Sequence, residues 1–250
     1  MGFLWLLLCF FFVSDRPTEN RWISHEEKNF LENSLNSTST KKRTTVIPWK
    51  SIFTSTEVYA CVFANFSMYF CTAIVLNFIP LYFKEELNLS LHKNGIYSIA
   101  PFVGQIISKN TLSIIADRMK RKKLMSNTTT VRFFQAICSF GTSIVLIALA
   151  ILPSSNQPSI AAALLFTYGI IFAAGIPGSF TSMLVISPSF TGTISSFSFV
   201  SAQFGSAIAP NIVSLIAYLN LPFKWSLVYG IAAGLQLISG IFFSFFGSGE

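Results

Sequence analysis

Asp117-Arg118-Met119-Lys120-Arg121-Lys122-Lys123 holds five basic residues in seven positions, with apolar sequence on both sides. Upstream, Val58–Phe83 contains no Asp, Glu, Lys, Arg or His; downstream, neither does the whole of Phe133–Phe223. A water-soluble fold does not run that far without a charge. A chain that crosses a bilayer repeatedly does, because an Asp, Lys or Arg at the centre of a spanning helix costs about 2.5–3.5 kcal/mol. Such chains collect their basic residues in cytoplasmic loops. The stretch therefore reads as a cytoplasmic loop, and it orients everything around it.

Composition agrees. The 250 residues are 52% hydrophobic and 11% charged, against about 25% charged in ordinary domains, and the mean hydropathy is +0.60. The net charge of +7 is no nucleic-acid footprint. It sits in loops beside spans, where it meets anionic lipid headgroups. Membrane lipid is thus an expected partner and nucleic acid is not. Cys9, Cys61, Cys71 and Cys138 all lie in apolar stretches without CxxC or Cys/His spacing, which reads as packing. His25 and His92 are in loops, and no HExxH, phosphate-binding glycine loop or intramembrane carboxylate pair occurs. The sequence points to no enzyme and to no cofactor or metal.

The fold class that follows is an all-α membrane protein. Residues 1–13 read as the end of a truncated transmembrane helix, because Gly2–Val13 is apolar but shorter than the ~20 residues a crossing needs. Residues 14–50 read as a cytoplasmic loop with one short surface helix, introduced by a capping box at Ser24-His25-Glu26-Glu27 and continuing through Phe30, Leu31 and Leu35. Residues 51–250 read as six spans: Val58–Phe83, Gly95–Ala116, Phe133–Leu152, Ile160–Ile186, Thr193–Leu219 and Trp225–Phe246. Thirteen Lys and Arg fall on the side of the 14–50 loop and the basic stretch; Lys84, Lys93 and Lys224 fall on the other. That asymmetry puts the first side in the cytoplasm, so the Asn36 and Asn127 sequons are silent. Gly230 and Gly234 form a GxxxG, and Ser201, Gly205 and Ala209 repeat every fourth residue. Both suggest close helix contacts.

Several ordered stretches resemble one family. Asp15, Pro17, Ile23-Ser24 and Glu26-Glu27 come first. Pro48-Trp49, Val58-Tyr59-Ala60, Ala64-Asn65-Phe66 and Pro80-Leu81-Tyr82-Phe83-Lys84-Glu85 follow. Asn94-Gly95, Ser98, Pro101 and Ala116-Asp117 come next, then Ile186, Pro188, Gly192 and the closing Phe246-Gly247-Ser248-Gly249-Glu250. Together they resemble the C-terminal half of the sodium/phosphate and organic-anion cotransporters, which include sialin and the vesicular glutamate transporters and belong to the major facilitator superfamily. The resemblance implies that the spans are helices seven to twelve of a twelve-helix transporter. It implies a small-anion substrate with sodium or proton coupling, and a missing N-terminal six-helix half as partner. It departs from the family at three places. Met68 stands where the family carries an arginine, Ser182-Met183-Leu184-Val185 where relatives have Asn-His-x-Asp, and Phe199 where they have an asparagine.

Candidate site residues follow from polarity inside spans. Lys109 is the only charge deep within one; it reads as a contact for an anionic substrate, or as a side chain snorkelling to the interface. Its eight-residue separation from Asp117, about 12 Å of helix, favours snorkelling. Asn65, Asn77, Gln203 and Asn211 could line a substrate path or bond between helices. Asp117 and Arg118 fit a loop that holds one conformation through ion pairs, or plain topology marking. Gly175, Pro177 and Gly178 interrupt the fourth span, as helices do at transporter binding sites or hinges, or as a kink that neighbours satisfy. The leading expectation is anion transport by alternating access, as part of a longer chain. The alternative is a non-transporting membrane remnant or partner protein.

Overall fold

In hydrocarbon every backbone N–H and C=O must be bonded within the chain, so long apolar stretches fold as helices. A computed structural model bears this out, and describes residues 2–12, 23–31, 47–153, 157–219, 221 and 223–249. No strand occurs among them. The chain divides into two units, Met1–Ile47 and Pro48–Glu250.

In the first unit, α1 (Gly2–Phe12) is helical and apolar throughout. A second helix, α2 (residues 25–31), starts where the capping box predicts, with the Glu27 N–H donating to Ser24 Oγ at 3.2 Å. The rest of the 14–46 stretch, including Leu35 and the basic cluster at Lys41-Lys42-Arg43, lies outside the described residues, as does Glu250.

The second unit opens with α3 (Trp49–Thr54) and continues into six helical segments long and apolar enough to span a membrane. These are α4 (Thr56–Glu85), α5 and α6 together (Leu91–Ser98 and Ala100–Arg121), α7 (Asn127–Ile151), α8 with its continuation (Pro158–Val185), α10 (Thr191–Tyr218) and α11 (Lys224–Phe246). Ser55 and Ser126 cap α4 and α7, accepting from Val58 N–H and Thr129 N–H. The capped start of α7 lies six residues before the apolar run begins at Phe133. The second span carries a break that was not expected. Helix α5 ends at Ser98 and α6 begins at Ala100, because Pro101 has no N–H for the preceding turn and its ring crowds it. Pro80 and Pro210, by contrast, sit inside continuous helices.

Packing centres on α4, α7 and α11; α10 lies along α4, and α6 along α8. Tyr82 meets both Trp225 and Tyr229 edge to face at one end of this centre, with Tyr82 and Tyr229 centroids 5.2 Å apart. Glu85 there accepts from Lys224 Nζ at 2.7 Å and Trp225 Nε1 at 3.1 Å. At the end nearer the basic stretch, residues 247–249 are buried. Arg132 donates to the Gly247 and Phe245 carbonyls at 2.7 and 2.9 Å, the Gly249 N–H donates to Thr128, and the Ser182 hydroxyl donates to the Ser248 carbonyl.

The small residues divide. A Cβ on Gly205 would come 2.5 Å from the Phe66 carbonyl oxygen, and one on Gly169 would collide with the Pro101 carbonyl. Glycine at these two places lets backbones meet. The GxxxG expectation is corrected: nothing lies within 4 Å of a Cβ on Gly230 or Gly234. That pair faces away from the bundle, because α11 packs on α7 and α4 through Val228, Ala232, Gln236 and Ser239 instead.

Candidate functional site

The fourth span is where regular helix fails. After α8 (Pro158–Phe172) the chain tightens into a 3₁₀ turn, Ala173–Gly175, and then widens into a π turn, Ile176–Phe180. Gly178 leaves helical geometry altogether, at φ −83° and ψ −112°. Pro177 causes this, since it supplies no N–H to the preceding turn. Regular helix resumes in α9 (Thr181–Val185). The freed Ser179 N–H is taken up by Gln135 Oε1 of α7 at 3.0 Å, and Gln135 Nε2 donates to Ser139 Oγ at 3.1 Å. A Cβ at Gly178 would sit 2.6 Å from that Gln135 oxygen and 2.9 Å from its backbone nitrogen. The break is therefore pressed against α7 and its exposed backbone is satisfied there.

Met68 of α4 plugs the other side. It is buried, its methyl group fills the space over Gly175, and Ser179 Oγ lies 3.6 Å from its sulfur. It joins Ala116, Phe134, Cys138 and Ala174 in one apolar cluster. Immediately beside it, the Phe199 ring of α10 meets Tyr69 of α4 and Phe180 of the break, at centroid distances of 6.4 and 5.9 Å. The break and α4 thus form a floor. Helices α6 and α10 flank it, the first packed on α8 and the break, the second on α4. Their spans are the least buried of the six, at 22% and 28%.

The candidate residues separate cleanly. Gly175, Pro177 and Gly178 are together at the break. Of the two readings given for Asn65, the structure shows the bond between helices: it is fully buried. Its Nδ2 donates to Ser198 Oγ at 2.9 Å and to the Cys61 carbonyl at 3.1 Å, so it joins α4 to α10. Asn77, Gln203, Asn211 and Lys109 are exposed; Asn211 Nδ2 donates to its own helix at Ala207. Asp117 and Arg118 are also exposed, and the ion pair found among the described residues is Lys224–Glu85, so the expected latch pairing is not formed here. Sequence reasoning passed over Gln135 and Met68. Gln135 carried a signal, a lone amide in an apolar span; Met68 carried none beyond its place in the family resemblance.

The sequence pattern of the Major Facilitator Superfamily matches residues 1–210. Human sialin is 28% identical over the whole chain, which covers 50% of it. Vesicular glutamate transporter 3 of Danio rerio is 28% identical, again over the whole chain and 42% of its own length. A Drosophila melanogaster protein named for inorganic phosphate cotransport is 30% identical over the whole chain and 47% of its length. The chain spans about half the length of the curated relatives it matches. With its six apolar spans, it is a multi-pass integral membrane protein, and it belongs to the Major Facilitator Superfamily.

Proposed function

We propose that this bundle is one wall of a secondary transporter for a small organic or inorganic anion, coupled to sodium or protons and working by alternating access. What carries the reading is the contrast within the bundle. A floor made of the broken fourth span and α4 lies between two helices that are packed on one side each. In transporters, breaks of this kind stand at the substrate site between two repeats. The names of the relatives support an anion as cargo. The second wall is a further six-helix bundle seated against α6 and α10. The basic stretch and the segment 247–249 then lie in the cytoplasm. Cysteines placed at Lys93 and Gln157 should react with an impermeant reagent from outside sealed cells, and one at Lys122 should not; reaction at Lys122 would overturn this orientation. Uptake of labelled phosphate, glutamate, sialic acid and dicarboxylates by the full-length gene product tests the transport reading. Flux at background for all of them would sink it.

A second reading has its own observation. Met68 and Phe199, both apolar and each packed against the break, occupy positions where the family resemblance leads one to expect arginine and asparagine. A membrane protein that no longer transports and serves as a partner would show the same floor. The uptake experiment separates the two.

A further inference from the structure

Lys109 is the one formal charge well inside a span, and its place on α6 has a definite direction. At 100° per residue, Lys109 lies within about 20° of Ala116 and about 40° of Gln105 on the helix circumference. Ala116 is buried in the cluster with Met68. The flank that carries Lys109 is therefore the one turned toward α4 and the break, while Ile107 occupies the opposite flank. The same reasoning puts Gln203 on the matching flank of α10, about 40° from Phe199, whose ring meets Tyr69 and Phe180. Lys109 is about 10 Å further from the basic stretch than Ala116, and Gln203 about 6 Å further than Phe199. Lys109 is exposed and makes no ion pair among the described residues. The nearest acid on its own helix, Asp117, is about 12 Å along it, and the acids of the six spans, Glu57, Glu85 and Asp117, all lie within a few residues of a span's end. A charged side chain inside a span is by default a functional candidate, and no acid pairs with this one among the described residues.

We propose that Lys109 is the anion-binding cation of this bundle, holding carboxylate or phosphate oxygens in the trough between α6 and α10, with Gln203 facing it from the other side. The proposal rests on the transport reading for the identity of the anion, but not for the position of the lysine. The alternative is the snorkelling lysine, for which anions would give no protection and Lys109→Gln no change in uptake.

The test uses the full chain in phosphatidylcholine vesicles, which contribute no anionic headgroup. A Cys9→Ser background removes the one native thiol that is not buried. In that background Lys109→Cys should react with a hydrophilic methanethiosulfonate, and Ile107→Cys should not. Inorganic phosphate, glutamate or sialic acid should slow the Lys109→Cys reaction several-fold, with chloride at matched ionic strength as control. Alongside, Lys109→Gln in the full-length gene product should raise the KM for uptake about ten-fold, the scale of one lost charged hydrogen bond. Lys109→Arg should restore most of the affinity. A Lys109→Cys that is inert, or equally reactive with every anion, overturns the proposal. So does uptake that Lys109→Gln leaves unchanged, and in that case the transport reading survives. Protection without any uptake has the opposite meaning: the lysine site stands and the transport reading falls.

Discussion

The α4–α7–α11 side of the bundle and its α6–α10 side are built from the same residue types, yet they treat polar groups in opposite ways. On the first side several polar side chains are buried and bonded to another helix. Ser67 donates to Gln236 Oε1 at 2.6 Å, and Ser143 donates to the Ala233 carbonyl at 2.7 Å. Both ends of this side are tied, by Glu85 with Lys224 and Trp225 at one end and by Arg132 with residues 245–247 at the other. On the second side Lys109 and Gln203 are exposed, and the apolar residues beside them are Ile, Val and Phe. Polar groups that hold a bundle together find partners within it. Polar groups that face outward from a membrane helix need either a second protein surface or a ligand. The difference teaches that polarity in a span indicates function only once its partners are known: Asn65 and Gln203 look alike in sequence and belong to different halves of this comparison.

The comparison breaks most severely where backbones touch. Gly169→Leu drives a side chain into the Pro101 carbonyl. Beyond an overpacking cost of about 1–3 kcal/mol, it should separate α6 from α8 and abolish recovery of monodisperse protein in size-exclusion chromatography. Gly230→Leu, with open space around it, should be recovered like the parent; equal behaviour of the two variants would contradict the packing described. Next in size is Arg132→Ala, which removes two hydrogen bonds from a cation, each worth about 1.5–3 kcal/mol. It should lower the thermal unfolding temperature and open 245–249 to protease. Gln135→Leu leaves the Ser179 N–H unbonded in the interior and should cost about 1–3 kcal/mol, read as a smaller fall in unfolding temperature. At the low end, Gln203→Leu should change stability by no more than about 0.5 kcal/mol, because no side-chain partner within the bundle is lost. A large fall there would place Gln203 with the structural residues and erase the contrast.

Much of the fold was legible because charge in hydrocarbon is expensive. The six spans follow from uncharged runs, and most of their ends fall within a few residues of the observed helices. The kink in the second span was not legible, since Pro101 inside Gly95–Ala116 looks no different from Pro80 or Pro210, which leave their helices intact. The break in the fourth span was legible from Gly175, Pro177 and Gly178. Its support was not, because Gln135 lies some forty residues earlier and only three-dimensional contact joins them. The GxxxG of α11 misled for a related reason: spacing specifies a smooth face but not which neighbour, if any, approaches it. For the candidate site, the sequence located Lys109 but not its flank, and it could not separate buried Asn65 from exposed Gln203. The first depends on how α6 is rotated and the second on how α4 and α10 are, which no spacing in the sequence states.

The central claim is that the α6–α10 side is half of an anion path and works only against a second wall. Reconstitution addresses it most directly. The purified chain is placed in proteoliposomes alone, and also after co-expression with the six N-terminal helices of a relative such as sialin, and uptake of labelled phosphate, glutamate and sialic acid is followed. The account predicts background flux from the chain alone and saturable uptake from the paired halves. Saturable flux from a monomeric preparation of the chain alone would contradict it.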